Sequence, residues 1–387
     1  MGPAMSLRAP RAAWLFSPQE DLLAFLAPTL LAVVLLWTAG GAVHDPLGPL
    51  GWLLSVVFVD VAHVWATIYR VYTVPGEVKR RPWVYLGLPA VAYGVSVALY
   101  SLSALTFWRA LAYLAVYHFM RQQYGWIALC SRRAPAPRGA HLDRWLDGAA
   151  VYIGTLYPIV YWHAHLPRRF HWFVPQDFFL TAPGWLASVF HVAWLGIGAL
   201  WLLRQGQRVI VEWNGERPLP ATKLLVMGST WLSWYVGIVC FNSDYAFSLC
   251  NVLPHGMPYF VLLYRYRQSV LREQQARPAT ESSVGAAPTA VTGSAPPARP
   301  FRFSIAAWLL FLLPLFAIAF VEEGLWDRLV WHDHPQFFPL PEVHPPSWLL
   351  VLLVPLLALP QSAHYLLDAW IWRVGPKNPD LKRRLGL

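Results

Sequence analysis

Residues 22–43 read LLAFLAPTLLAVVLLWTAGGAV, a run without a single charged side chain. At 1.5 Å per residue such a helix is about 33 Å long, enough to cross the roughly 30 Å hydrocarbon core of a bilayer. Lipid offers no partner for backbone N–H and C=O groups, so a run of this kind has to close its hydrogen bonds within one helix. Nine further segments follow the pattern: 50–72, 83–104, 107–129, 146–165, 184–204, 221–241, 245–266, 303–321 and 348–371. The expected fold is all-α: a polytopic integral membrane helix bundle of about ten transmembrane helices.

Composition supports that class. The 387 residues are 57% hydrophobic and only 13% charged, with a mean hydropathy of +0.40, outside the range of ordinary soluble domains. A net charge of +10 would fit nucleic acid if the basic residues formed one patch. They gather instead at one end of each apolar segment, so no nucleic-acid partner is expected. With the amino terminus placed in the cytoplasm, twenty-five Lys and Arg fall inside. Arg168, Arg169 and Arg328 fall outside, Arg109 lies near a helix start and Arg121 within a helix. That asymmetry predicts both termini cytoplasmic. Twenty-two Trp and seventeen Tyr suit aromatic belts at the two interfaces. Cys130, Cys240 and Cys250 are too few for a disulfide framework or a Cys-type zinc site. No cleavable signal peptide is expected. Arg outnumbers Lys 26 to 4, which suggests a GC-rich bacterial source and hence the inner (cell) membrane.

The expected organisation is a membrane domain of helices 1–8 over residues 1–272 and a Pro-, Ala-, Ser- and Thr-rich cytoplasmic linker at 273–300. Residues 301–387 then supply helices 9 and 10, packed on the same bundle, and a basic tail. Residues 166–183 and 322–346 read as outer loops lying on the membrane surface. No internal repeat of the transporter type is evident.

Four histidines interrupt the apolar segments, each in polar company. Helix 2 carries Asp60-Val-Ala-His63-Val-Trp-Ala-Thr67-Ile-Tyr-Arg70, whose spacings of three, four and three put the polar side chains on one face. Helix 4 places His118, Arg121 and Gln122 together, with Tyr124 nearby. Helix 8 carries Asn251 and Pro254-His255-Gly256-Met257-Pro258-Tyr259, where two prolines and a glycine predict a broken ladder facing a cavity. Helix 10 sets Gln361, His364 and Asp368 on one face. All four helices run in the same direction, and the histidines fall at similar depths.

An ionisable group at that depth costs about 2.5–3.5 kcal/mol even on lenient scales, so it normally faces protein and has a function. Four imidazoles with Asp60 and Asp368 beside two of them suit iron, copper or zinc. The two carboxylates can be ligands or can orient the rings, and Thr67, Gln122 and Gln361 are further orienting candidates. Haem held by two of the histidines is another option. Without a metal, each histidine is a hydrogen-bonded helix–helix contact, with Asp60 paired to Arg121. His163, His165 and His171 in one outer loop, and His332, Asp333, His334, Glu342 and His344 in the other, can capture a metal or relay protons. The plainer reading is interfacial side chains on Trp-rich loops.

The strings DVAHVWATIYRVY (60–72), YHFMRQQYG (117–125) and HYLLDAWIWR (364–373) resemble signatures of bacterial multi-pass membrane proteins of uncharacterised families. More distantly, the intramembrane histidines, Leu253-Pro254-His255-Gly256 among them, resemble those of bacterial membrane β-carotene dioxygenases of the Brp/Blh type. That resemblance implies a single iron held by histidines that activates dioxygen. Met257-Pro258 stand here in place of the Asp-His that follows the motif in that family, and the His boxes of lipid desaturases are absent.

The expected function is therefore a membrane oxidoreductase or oxygenase. His63, His118, His255, His364, Asp60 and Asp368 would hold non-haem iron or another transition metal. An apolar, lipid-soluble substrate would enter sideways from the membrane lipids into a pocket lined by Tyr124, Tyr259 and Arg121. In the alternative the same residues carry protons or a metal ion across the membrane. A scaffold without chemistry is the third possibility.

Overall fold

A computed structural model of the chain describes residues 12–133, 140–178, 181–213, 218–276 and 304–387. Among these residues the backbone is helical apart from turns, loops and two isolated bridges, Ala12 with Leu219 and Gly375 with Asn378. The long helices are α1 Pro18–His44, α2 Pro49–Arg70, α3 Trp83–Leu102, α4 Ala104–Arg133, α5 Ala140–Ala164, α6 Gly184–Trp213, α7 Ala221–Cys240, α8 Asp244–Gln275, α9 Ile305–Trp331 and α10 Ser347–Ile371. Eight of them are long and apolar enough to cross a membrane; α4 and α5 match them in length but not in hydropathy. Arg109, His118, Arg121, Gln122 and Gln123 lower the average of α4, and three tyrosines with His163 lower that of α5.

The bundle turns its polar groups inward and its apolar ones outward. Trp37, Trp83 and Leu310 are 83%, 86% and 76% exposed, whereas Arg70, Asp21 and Lys223 are 1%, 0% and 3% exposed. A soluble protein does not carry so many exposed large apolar side chains; a lipid-facing one must. The centre is α8, 83% of whose apolar window is buried, packed against α1, α2 and α7. Around it α10 lies against α2, α3 and α4, and α9 against α2.

One end of the bundle is basic and internally paired. Arg70 donates to Glu77 (2.9 Å), to the Ile371 carbonyl (3.1 Å) and to Asn378 (3.3 Å). Arg265 bonds Glu20 (2.6 Å), Lys223 pairs with Asp147 (2.9 Å) and Arg384 with Glu273 (3.0 Å). Burial alone would raise the Glu77 carboxyl, but the Arg70 charge, hydrogen bonds from Tyr85 and Arg70, and the Arg80 charge outweigh it and hold the group below the ordinary Glu range. The opposite end is closed by loops. Arg168 donates to the Ile238 and Phe241 carbonyls (2.8 and 2.6 Å), Arg109 to the Gln176 carbonyl (3.0 Å), and the Leu47 N–H to Asp244 (3.1 Å).

Several expected boundaries move. Helix 9, expected to stop at 321 before two acids, runs on to Trp331, because Glu322 accepts a hydrogen bond from Trp65 Nε1 and is not left bare in lipid. The outer loop expected to begin at 322 is therefore helical for its first ten residues. Helix α8 continues to Gln275, into the segment expected as linker, whose remainder from residue 277 lies outside the described residues. The break expected around His255 is absent: α8 is continuous, with Pro254 and Pro258 inside it. Each proline removes one donor and strains one turn, and the close packing on α1, α2 and α7 holds the helix through both.

Candidate metal centre

His63 enters the core on α2 just after a widened, π-type stretch over Trp52–Val61; the helix narrows to ordinary α geometry at Ala62. Such stretches are rare and frequent at functional sites. The Val59 carbonyl at its end lies 3.2 Å from His63 Nδ1. Gly256 lets α8 touch α2 at this level: a Cβ there would meet Val59 Cγ1 at 2.6 Å and the Val59 carbonyl oxygen at 3.1 Å. His255 thereby lands beside His63, while α4 and α10 bring in His118 and His364 from the other side.

The four rings form a closed set. Centroids lie 4.7 Å apart for His63 and His255, 5.3 Å for His255 and His118, 4.7 Å for His118 and His364, and 5.0 Å for His364 and His63. A metal–nitrogen bond of about 2.1 Å puts an imidazole centroid about 3.2 Å from the ion, so ligand angles of roughly 90–109° separate centroids by about 4.5–5.2 Å. Three sides of the set fall within that range and the fourth, His255–His118, lies 0.1 Å beyond it. One ligand nitrogen from each ring lies within 4.8 Å of every other, a few tenths of an ångström wider than the span of about 4.2 Å across a common ion.

The nitrogens also fit in chemistry. Each histidine is 1–4% exposed. Nε2 of His63, His118 and His364 and both nitrogens of His255 are buried without a hydrogen-bond partner among the described residues. A neutral imidazole carries one acceptor nitrogen. Left unmet, the unpartnered nitrogens of the four rings, at about 1–3 kcal/mol each, would cost as much as a typical protein's whole stability. A divalent transition ion taking those lone pairs removes that cost.

Second contacts orient the rings. His364 Nδ1 lies 2.8 Å from Thr67 Oγ1, which leaves Nε2 facing the other histidines. The Tyr259 hydroxyl donates to Asp368 Oδ1 (2.7 Å), lies 3.2 Å from Thr67 Oγ1, and its ring stands edge-on to His63 and His364. Trp372 Nε1 also donates to Asp368, at 3.2 Å. Asp60 and Asp368 lie 3.7 and 3.8 Å from the Nδ1 atoms of His63 and His364. Neither carboxylate joins the converging set, so of the two roles expected for them orientation fits and direct ligation does not.

The expected pocket lining needs two corrections. Arg121 is exposed, donates to the Tyr152 hydroxyl on α5 and lies 5.0 Å from the Tyr124 ring centroid. Tyr124 in turn stacks on Tyr152 at 5.6 Å. Both therefore sit at the α4–α5 contact, where Tyr152 holds them, and no contact joins either to the histidines. The alternative pairing of Asp60 with Arg121 falls with them. Gln122 buries both amide atoms without a partner among the described residues, and no contact joins it to the rings. Gln361 acts at one remove: its amide donates to the Tyr365 hydroxyl (2.8 Å), and the Tyr365 ring lies 4.6 Å from that of His118.

Three contributors were not expected. Tyr365 is one; its signal was the spacing of four from Gln361. Phe119 is another, stacked on His255 at 3.5 Å and 8°, with no sequence signal beyond its place next to His118. The third is acidic: Glu323 of α9 lies within electrostatic range of Asp60, Glu322 and Asp327. Of the outer histidines, His163 is used up by Tyr113 (2.9 Å) and the Ile159 carbonyl (2.7 Å), and His165 stacks on Tyr161 at 3.9 Å. Compared with protein-family models, curated proteins and solved structures, the chain matches none.

Proposed function

We propose that the four imidazoles hold one transition metal ion, iron in the first place, and that the protein is an integral membrane oxidoreductase acting on a lipid-soluble substrate. The observation that carries this reading is the convergence of four buried imidazole nitrogens that have no hydrogen-bond partner among the described residues. Iron bound there would supply dioxygen activation; copper would supply related redox chemistry, and zinc only Lewis acidity. The Thr67–Tyr259–Asp368 network would fix His364, and Asp60 and Val59 would fix His63. The Phe119 and Tyr365 rings would exclude water from the His255 and His118 side. An apolar substrate, an isoprenoid, acyl lipid or quinone by class, would reach the centre from the bilayer. The asymmetry of charge suits ten spans, with the basic end and both termini in the bacterial cytoplasm.

A second reading has its own support. Glu323 lies within electrostatic range of Glu322, Asp327 and Asp60, and Asp60 lies 3.7 Å from His63 Nδ1; acids gathered beside the histidines would suit a path for protons or a metal ion. Purified protein in lipid nanodiscs decides between the two. The first reading expects about one equivalent of redox metal, with a matching visible spectrum, lost on His63→Ala or His118→Ala. Metal-free protein of full activity would overturn it. Metal or proton flux in proteoliposomes with no lipid product would favour transport.

A further inference from the structure

The loop that follows α9 carries a second set of donors. His332 terminates the helix in the left-handed region (φ 60°, ψ 32°), a conformation uncommon for a side chain with a Cβ. Its N–H bonds the Asp327 carbonyl (2.9 Å), and the Asp327 carboxylate accepts the N–H groups of Asp333 (2.9 Å) and His334 (2.7 Å). The loop is tied down further by the His334 ring, stacked on Trp52 at 3.6 Å. The returning segment is held by the Val343 N–H on the Arg328 carbonyl (3.0 Å). Val343 is flanked by Glu342 and His344, and the tie brings both to His332.

The three side chains converge. The His332 and His344 rings lie 5.0 Å apart, His344 Nε2 lies 3.6 Å from Glu342 Oε2, and one donor atom from each residue lies within 4.8 Å of the others. His332 Nδ1 is buried without a hydrogen-bond partner among the described residues, whereas His344 and Glu342 are exposed. One anchored imidazole thus faces two groups that water can reach. Two imidazoles and a carboxylate with the remaining positions open is a donor set for a divalent first-row transition ion, zinc above all.

We propose that His332, Glu342 and His344 form a solvent-accessible binding site for a divalent transition metal ion at the loop-covered end of the bundle, separate from the buried four-histidine centre. An ion there joins the end of α9 to the chain entering α10 and exchanges freely with the aqueous phase.

The test uses the full chain in nanodiscs, stripped with a chelator and titrated with Zn²⁺, and with Co²⁺ as a spectroscopic probe. The wild type should take up one rapidly exchanging equivalent with the visible bands of Co²⁺ bound by nitrogen and oxygen. His344→Ala should weaken that binding at least about tenfold, Glu342→Gln should weaken it as well, and His332→Ala/His344→Ala should abolish it. Zinc should also protect His344 from a histidine-modifying reagent. His63→Ala/His118→Ala should retain the exchanging equivalent, which separates this site from the buried one. Equal binding by wild type and the His332→Ala/His344→Ala protein, or no exchanging equivalent in the wild type, overturns the assignment.

Discussion

Thr67 Oγ1 lies 2.8 Å from His364 Nδ1 across the contact between α2 and α10, two positions 297 residues apart in the chain. One hydroxyl thus sets which nitrogen of His364 faces the other three histidines. Replacing it with the isosteric valine keeps the packing and removes the hydrogen bond. Thr67→Val should lower affinity at the buried centre by about 10–100-fold and, by leaving His364 Nδ1 unpaired, cost about 1–3 kcal/mol of stability. Metal titration of the stripped protein reads this directly, and unchanged affinity would show that the hydroxyl orients nothing.

The closest approach of α8 to α2 depends on Gly256. A methyl there meets Val59 backbone, which cannot swing aside as a flexible side chain would. Gly256→Ala should cost about 1–3 kcal/mol by overpacking and displace His255, so that metal content falls together with the unfolding temperature in detergent. Full metal content in a stable variant would contradict the fit described.

Arg70 and Glu77 are both nearly excluded from water, 2% and 4% exposed at their side chains. Removing one member of a buried pair costs about 3–5 kcal/mol, so Glu77→Gln should be much less stable at neutral pH. Because the Glu77 carboxyl is held below its ordinary value of 4.5, its contribution is complete above that value and is lost as the pH falls further, through the lowered one. Melting curves of wild type and variant taken from neutral pH down to about pH 3 should therefore converge in acid. A gap that stays constant would mean that the ion pair contributes nothing pH-dependent.

Arg121, three residues from His118, makes its contacts with Tyr152 and Tyr124. Arg121→Ala should leave metal stoichiometry and spectrum unchanged and alter stability by no more than about 1 kcal/mol. Loss of metal in this variant would return the guanidinium to the site.

Much of this was legible in the sequence because lipid imposes a simple rule on backbone hydrogen bonds. Residues 22–43 lie in a helix long and apolar enough to cross a membrane, and four histidines at a shared depth announced their meeting. The direction of Arg121 was not legible: a spacing of three from His118 puts it within about 60° of that face, and only the neighbour, Tyr152 on α5, decides which way it turns. Nor was the extension of α9 past Glu322 and Glu323, since two acids read as the end of a span until Trp65 supplies a partner. The outer loops separated for a similar reason. His163 and His165 are satisfied locally, whereas His332 and His344 are joined by a tie between Val343 and Arg328 that leaves no periodic mark.

The four nitrogens come from α2, α4, α8 and α10, so the set is complete only once α10 has inserted and packed. Nascent chains shorter than that offer incoming ions three imidazoles at most. Loading of the proposed centre would therefore belong to the finished bundle, and an ion reaching it would have to pass between helices already in place.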